Sequence, residues 1–182
     1  MSIDKTVFKM INGYNIPSIF DDIFVYAHGL ANVEIAFFLF CIILFLIVVG
    51  APKRGPRAAI AVFIATMITY FGAGTLRKLL VRPYPVLDES LEAILRVEVL
   101  RSSSAFPVIS TVMFSTIAMS IVFYFPKYTA GLIIMSVLYA IMPIYLGLAY
   151  PSDALGSLLM GYAIGYTLMQ ILSRTKYFAR YQ

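Results

Sequence analysis

Three polar segments of this sequence carry residue types that could act together. They read LRKLLVRPYP (76–85), RSSSAFPVIST (101–111) and GLAYPSDALG (147–156). Arg82 supplies a guanidinium and Asp153 a carboxylate, and these two groups could form an ion pair if the segments converge. We therefore expect the chemistry of this protein, if it has any, to concern charged groups held in a small space between helix ends.

Each of these residues also has a simpler explanation, which stays open at this point. Arg77, Lys78 and Arg82 could snorkel from the end of an apolar helix to lipid phosphates. Ser152 and Asp153 precede another apolar run, where they could cap a helix and favour its dipole. His28 has no second histidine, cysteine or carboxylate cluster at metal-ligand spacing, so we expect no metal site.

The polar segments lie at the ends of five long apolar runs. Each run has close to the ~20 residues that a helix needs to cross ~30 Å of hydrocarbon. Since a helix satisfies its own backbone hydrogen bonds in lipid, all five runs are predicted to be helical. The runs are Val33 to Gly50, Ala58 to about Leu76, Ala105 to Phe125, Thr129 to Tyr150, and Ala154 to Leu172.

The charges between the runs predict an orientation. The joints APKRGPR (51–57) and FPKY (125–128) and the tail after Ser173 carry basic residues and no acidic ones. By the positive-inside rule these three segments are cytoplasmic. The loop from Arg82 to Ser104 has a net charge of −1 and is predicted to lie outside. Five crossings place every basic joint on one side, so the topology agrees with the charges.

Residues 1–32 have two possible placements. Asp21 and Asp22 interrupt the apolar stretch from Ile16 to Ala31, and adjacent carboxylates at mid-membrane cost several kcal/mol. We therefore predict one or two amphipathic helices in the outer interface. The alternative is a sixth crossing, which would place the N-terminus in the cytoplasm.

The composition excludes the soluble classes of protein. Hydrophobic residues make up 61% and charged residues 13%, whereas a soluble domain averages about half and a quarter. A small domain cannot bury that much apolar surface. Although the net charge is +5, the basic residues lie at the ends of apolar runs, so no nucleic-acid partner is expected. We predict an all-α polytopic membrane helix bundle over residues 33–173, followed by a basic cytoplasmic tail at 174–182.

The order of the short motifs resembles a known family. Arg-Pro at 82–83, Phe-Pro at 106–107 and Tyr-Pro-Ser-Asp at 150–153, followed by a glycine-rich helix, are similar to the type 2 phosphatidic acid phosphatase superfamily. Its members are membrane lipid and polyprenyl-diphosphate phosphatases. The resemblance spans nearly the whole chain. It implies six membrane helices with the site on the outer face, and so it favours the sixth crossing.

The first and third motifs of the family are partly present, and Pro107 is what remains of the second. The first motif is Lys-x6-Arg-Pro, in which Arg82 matches and Thr75 stands at the lysine position. Lys78 could replace that lysine, because it lies one helical turn from it. The third motif is Ser-Arg-x5-His-x3-Asp, of which Asp153 matches, while Ala149 stands at the histidine position.

The departures remove the groups that the family uses for catalysis. In the family the third-motif histidine attacks phosphorus, and a histidine of the second motif, Pro-Ser-Gly-His, protonates the leaving oxygen. Here Ala149 offers only a methyl group, and Ser110 replaces the acid, although a serine hydroxyl is a poor proton donor near neutral pH. Pro143 replaces a phosphate-binding arginine. No catalytic residue is expected, and Arg82 and Lys78 are the remaining predicted phosphate ligands.

Three functions are compatible with this sequence. The first is a catalytically impaired membrane protein that serves as an assembly subunit or binds anionic lipid headgroups without cleaving them. The second is an active lipid-phosphate or polyprenyl-diphosphate phosphatase with Ser110 or Asp153 as nucleophile and Arg82 and Lys78 as clamps. The third is a transporter, which the scarcity of charges at mid-depth disfavours. The expected partners are membrane lipids, with a second membrane protein as a further candidate; no cofactor is expected. The resemblance implies a bacterial cytoplasmic (inner) membrane.

Overall fold

The computed structural model describes residues 3–14, 17–29, 33–97, 104–175 and 178. Within these residues the chain forms seven α-helices and no β-strand, so the predicted all-α membrane bundle is confirmed. The helices are α1 (Ile3–Asn12), α2 (Ser18–Gly29), α3 (Val33–Gly50), α4 (Gly55–Leu79), α5 (Ile109–Tyr124), α6 (Thr129–Tyr145) and α7 (Pro151–Ser173).

Five helices correspond to the five predicted apolar runs. Three of them, α4, α6 with the turn before it, and α7, are long and apolar enough to cross a membrane, while α5 and the Leu39–Gly50 part of α3 are shorter apolar helices. The protein is therefore an integral membrane protein. The predicted boundaries that differ most from the structure are the start of α5, at Ile109 rather than Ala105, and the end of α6, at Tyr145 rather than Tyr150.

The early end of α6 has a backbone cause at Gly147. This glycine has a φ of +84°, a left-handed conformation that ends many helices. Leu148 N donates to Pro143 O at 2.8 Å across the turn. A β-carbon at Gly147 would lie 2.8 Å from the Ile94 carbonyl oxygen, so the position excludes a side chain. The turn leads the chain through Ala149 into α7.

The N-terminal segment contains two short helices. With 10 and 12 residues, α1 and α2 are about 15 and 18 Å long, so neither alone spans ~30 Å of hydrocarbon. α1 packs against α6 and α7, and α2 packs against α6. The structure thus has two short helices where one or two were predicted. Their interfacial placement, and the alternative of a sixth crossing, stay predictions.

The centre of the bundle is α5, which contacts α4, α6 and α7. Its closest neighbour is α7, where Gly161 and Gly165 face α5. A β-carbon at Gly161 would lie 2.4 Å from Val112 O, so only glycine permits this approach. Thr116 Oγ1 donates to Gly161 O at 3.1 Å across the same interface. Gly161 and Gly165 are four residues apart on α7, a spacing typical of close helix packing.

The two ends of the bundle differ in character. At one end, Ala58, Tyr124 and Met169 pack together with Phe125 and Phe178, which brings the three predicted basic segments to the same end. The opposite end collects α1, the loop after α4, and the start of α7. This arrangement agrees with the predicted parity of the crossings, whereas the side of the membrane that each end faces stays a prediction.

Candidate anion-binding site

The backbone around Arg82 is fixed by a serine from the next polar segment. After α4 ends, Ser104 Oγ donates to Leu80 O at 2.5 Å and accepts from Arg82 N at 3.0 Å. Ala105 N also donates to Arg82 O at 2.8 Å. Ser104 therefore joins the start of this loop to the segment before α5.

The guanidinium of Arg82 binds two carboxylates from opposite ends of the sequence. Its Nη1 lies 2.5 Å from Asp153 Oδ1 of α7, and its Nη2 lies 3.2 Å from Asp4 Oδ2 of α1. Nη2 also approaches Ser152 Oγ at 3.3 Å, and the group lies 4.9 Å from the centroid of the Tyr150 ring. The predicted pairing of Arg82 with Asp153 is confirmed, and the Asp4 contact is new.

Asp4 also satisfies the first turn of α7. Ser152 N donates to Asp4 Oδ1 at 2.9 Å, and Ser152 Oγ donates to Asp4 Oδ2 at 2.7 Å. The residue that precedes α7 is Tyr150, which makes no side-chain capping bond. The predicted local cap by Ser152 and Asp153 is therefore wrong, because a carboxylate 148 residues away along the chain accepts the N–H that a capping residue would otherwise satisfy.

Asp153 is fully buried, and only one of its oxygens is paired. Its side chain has 0% exposure, whereas that of Arg82 has 42%. Oδ2 has no hydrogen-bond partner among the described residues, which is unusual for a buried polar atom. Ala149, four residues before it, is also fully buried. The methyl group of Ala149 offers no hydrogen bond to this carboxylate.

Arg77, rather than Lys78, points from α4 into the polar end. Arg77 Nε donates to Ser104 O at 2.8 Å, and its Nη2 donates to Tyr84 Oη at 2.5 Å. Lys78 is exposed, and no contact joins its side chain to Arg82 or Asp153 in the described part of the chain. The phosphate-binding role of Lys78 stays a prediction. The sequence pattern indicated only a snorkelling role for Arg77, although this residue lies five positions from Arg82.

Ser110 lies in a different environment. It comes within hydrogen-bonding reach of Tyr139 of α6, and no contact with Arg82 or Asp153 is present among the residues described. The segment before it is held instead by Val108 N, which donates to Ser157 Oγ of α7 at 2.9 Å. Of the predicted site residues, the structure therefore brings Arg82 and Asp153 together. Ala149 is buried in the turn that leads into α7.

A second polar cluster attaches the N-terminal helices. Arg96 Nη1 donates to Tyr145 O at 2.8 Å and to Asn12 O at 3.0 Å, and its Nε lies 3.2 Å from Asp21 Oδ1. The buried Asn12 side chain donates to Ile94 O and Tyr145 O at 2.9 Å each. A cation and an amide thus satisfy the last carbonyl of α6, where positive charge is favoured. α1, α2 and the loop are held to the bundle end together.

The ionisation of two groups reflects this packing. Hydrogen bonds from Lys5 and Ser90 lower the pKa of the Asp88 carboxyl from 3.8 to about 2, and Lys5 Nζ lies 2.5 Å from Asp88 Oδ2. Burial raises the pKa of the Tyr150 hydroxyl, so this group stays protonated at neutral pH.

The described residues contain no group of three or more histidine, cysteine or acidic side chains that could hold a metal ion.

The fold is similar to those of two solved structures. One is LpxE from Aquifex aeolicus, with a TM-score of 0.68 and 19% identity over 93% of this chain and 96% of that chain. The other is the first transmembrane PAP2-type phosphatidylglycerolphosphate phosphatase from Bacillus subtilis, with a TM-score of 0.71 and 17% identity over 95% of this chain and 86% of that chain. At these identities the likeness concerns the fold. No protein-family model matches the chain, and no curated protein matches it by sequence.

Proposed function

We propose that this protein is a membrane-embedded relative of the type 2 phosphatidic acid phosphatases that binds anionic lipid headgroups without cleaving them. The observation that carries this proposal is the buried Ala149 beside a buried Asp153 with an unpaired oxygen. A methyl group at the position of the nucleophile cannot form a phosphoenzyme. Since nucleophile and general acid act as a unit, losing both costs many orders of magnitude in rate.

Headgroup binding is supported by the donors that remain at this end. The Arg82 side chain is 42% exposed, so solvent and a ligand can reach it. Guanidinium groups bind phosphate through parallel hydrogen bonds. Ser152 Oγ, 3.3 Å from Arg82 Nη2, offers a hydroxyl on the same side. Lys78 keeps its predicted role as a second cation.

A second candidate function is that of an assembly subunit for another membrane protein. It is favoured by the pairing of Arg82 with both Asp153 and Asp4. Two carboxylates more than neutralise the charge of one guanidinium, so the cluster attracts an anionic ligand only weakly. In this case the polar cluster serves to hold α1, the loop and α7 together.

We place the protein in the bacterial cytoplasmic membrane, with the Arg82 end outside and the C-terminus in the cytoplasm. The positive-inside rule supports this orientation, because the joint at 51–57 and the joint at 125–128 carry only basic charges.

The test is an assay of phosphate release and of binding on the purified protein. Substrates are phosphatidic acid, phosphatidylglycerol phosphate and undecaprenyl diphosphate, and binding is measured by calorimetry with dioctanoyl phosphatidic acid. We expect no release, together with binding that Arg82→Gln abolishes. Lys53→Gln, which removes an exposed cation at the opposite end, is the matched control and should bind as the parent does.

Two results would change the proposal. Phosphate release that disappears in Arg82→Gln and persists in Lys53→Gln would identify an active phosphatase with a rebuilt site. Absence of both release and binding would leave the assembly subunit as the better account.

A further inference from the structure

The contacts of Asp4 resemble those that a protein makes with a bound anion. Its two oxygens accept from a backbone N–H and a hydroxyl of Ser152 at 2.9 and 2.7 Å, and Oδ2 also lies 3.2 Å from Arg82 Nη2. A guanidinium, a hydroxyl and an N–H at the start of a helix are the donors that bind phosphate elsewhere. Here the chain's own carboxylate occupies them.

The helix that carries Asp4 is a separate short unit. α1 has 10 residues, too few to be stable alone in water, and it depends on contacts with the bundle end. Phe8 is fully buried against Leu91, Ile144, Tyr150 and Ala154. Lys5 pairs with Asp88 at 2.5 Å at the exposed rim. These contacts hold Asp4 over Arg82, and all of them can be broken together if α1 moves.

We infer that α1 is an internal lid and that Asp4 is the resident competitor of a phosphate monoester at Arg82 and Ser152. A phosphate dianion carries more charge than Asp4 and presents three acceptor oxygens to the same donors. Its arrival displaces the Asp4 carboxylate and releases the first turn of α1. This inference rests on the proposed headgroup binding and adds what controls it.

The competitor can be weakened without altering the donors. Asp4→Asn removes the negative charge at nearly constant size. The matched control is Asp22→Asn, which makes the same charge change at an exposed position of α2. Phe8→Ala is a second variant, which loosens the packing of α1 while leaving Asp4, Arg82 and Ser152 chemically unchanged.

The experiment compares binding of dioctanoyl phosphatidic acid and of inorganic phosphate to the full chain in nanodiscs, by calorimetry. We expect Asp4→Asn to bind phosphatidic acid roughly fivefold to tenfold more tightly than the parent, as for loss of a partly exposed, charge-assisted contact. Phe8→Ala should move in the same direction, and Asp22→Asn should not change. A gain with phosphatidic acid alone assigns the site to a lipid headgroup, and an equal gain with inorganic phosphate assigns it to the free ion.

Hydrogen exchange of residues 3–12 supplies a second readout, since a purely structural contact would not respond to ligand. In the parent protein, exchange in α1 should become faster when phosphatidic acid binds. If Asp4→Asn and Phe8→Ala bind as the parent does, and binding still requires Arg82, the lid is refuted and headgroup binding stands. If no variant binds either ligand, the proposed headgroup binding fails and the lid fails with it.

Discussion

Arg82 and Asp153 should respond very differently to mutation, although they form one ion pair. Arg82→Ala leaves a carboxylate with 0% exposure and no cation, whereas Asp153→Asn leaves a guanidinium that is 42% exposed and still faces Asp4. Removing one partner of a fully buried pair costs about 3–5 kcal/mol. Since solvent reaches one side of this pair, we expect Arg82→Ala to cost about 2–3 kcal/mol and Asp153→Asn about 1 kcal/mol or less.

The double variant separates this explanation from a general loss of packing. In Arg82→Ala with Asp153→Asn, no buried charge is left unpaired, so stability should return to within about 1 kcal/mol of Asp153→Asn alone. The measurement is the free energy of unfolding from SDS titration in mixed micelles, with Lys53→Ala as the control for loss of a cation. Equal losses in the two single variants, or a double variant as unstable as Arg82→Ala, would refute the reasoning.

Two further predictions concern packing and pH. Gly161→Ala should lower the thermal midpoint by several degrees, because the added β-carbon would lie 2.4 Å from the Val112 carbonyl oxygen. The control Gly72→Ala has nothing within 4 Å of the added atom, so it should leave the midpoint unchanged or raise it. Similar losses in both variants would contradict the close approach of α5 and α7. Asp88 has a folded pKa of about 2 against an ordinary 3.8, so its contribution to stability is present above pH 4 and is lost as the pH falls toward 2. The thermal midpoint of the parent should therefore drop more steeply over that range than that of Asp88→Asn, and parallel curves would count against the contact with Lys5.

The resemblance and the structure agree on the fold but lead to different questions about the site. The fold is similar to those of two solved proteins at 17–19% identity, a level at which the chemistry of a site can differ. Because Ala149 is apolar and Arg82 is already paired with Asp153 of the same chain, binding should be assayed before turnover. The lid and the headgroup site are then tested by different variants, Asp4→Asn and Arg82→Gln.

The arrangement of the bundle was largely predictable from the sequence. Hydropathy over ~20 residues is a local property, so the five apolar runs reappear as α3 to α7. The charges of the joints and the number of crossings predicted that the segments around Arg82 and Asp153 lie at one end of the bundle. The ion pair between these two residues forms there. The four-residue spacing of Gly161 and Gly165 is likewise a local sequence pattern typical of close helix packing.

The finer structure of the site was decided by the tertiary structure alone. Successive residues of a helix differ by about 100° in direction, so Arg77 reaches Tyr84 while Lys78 is exposed, a distinction that depends on how α4 is rotated in the bundle. The contact of Asp4 with Arg82 and Ser152 joins positions up to 148 residues apart. No local pattern encodes it, because it exists only when Phe8 docks α1 onto the ends of α6 and α7.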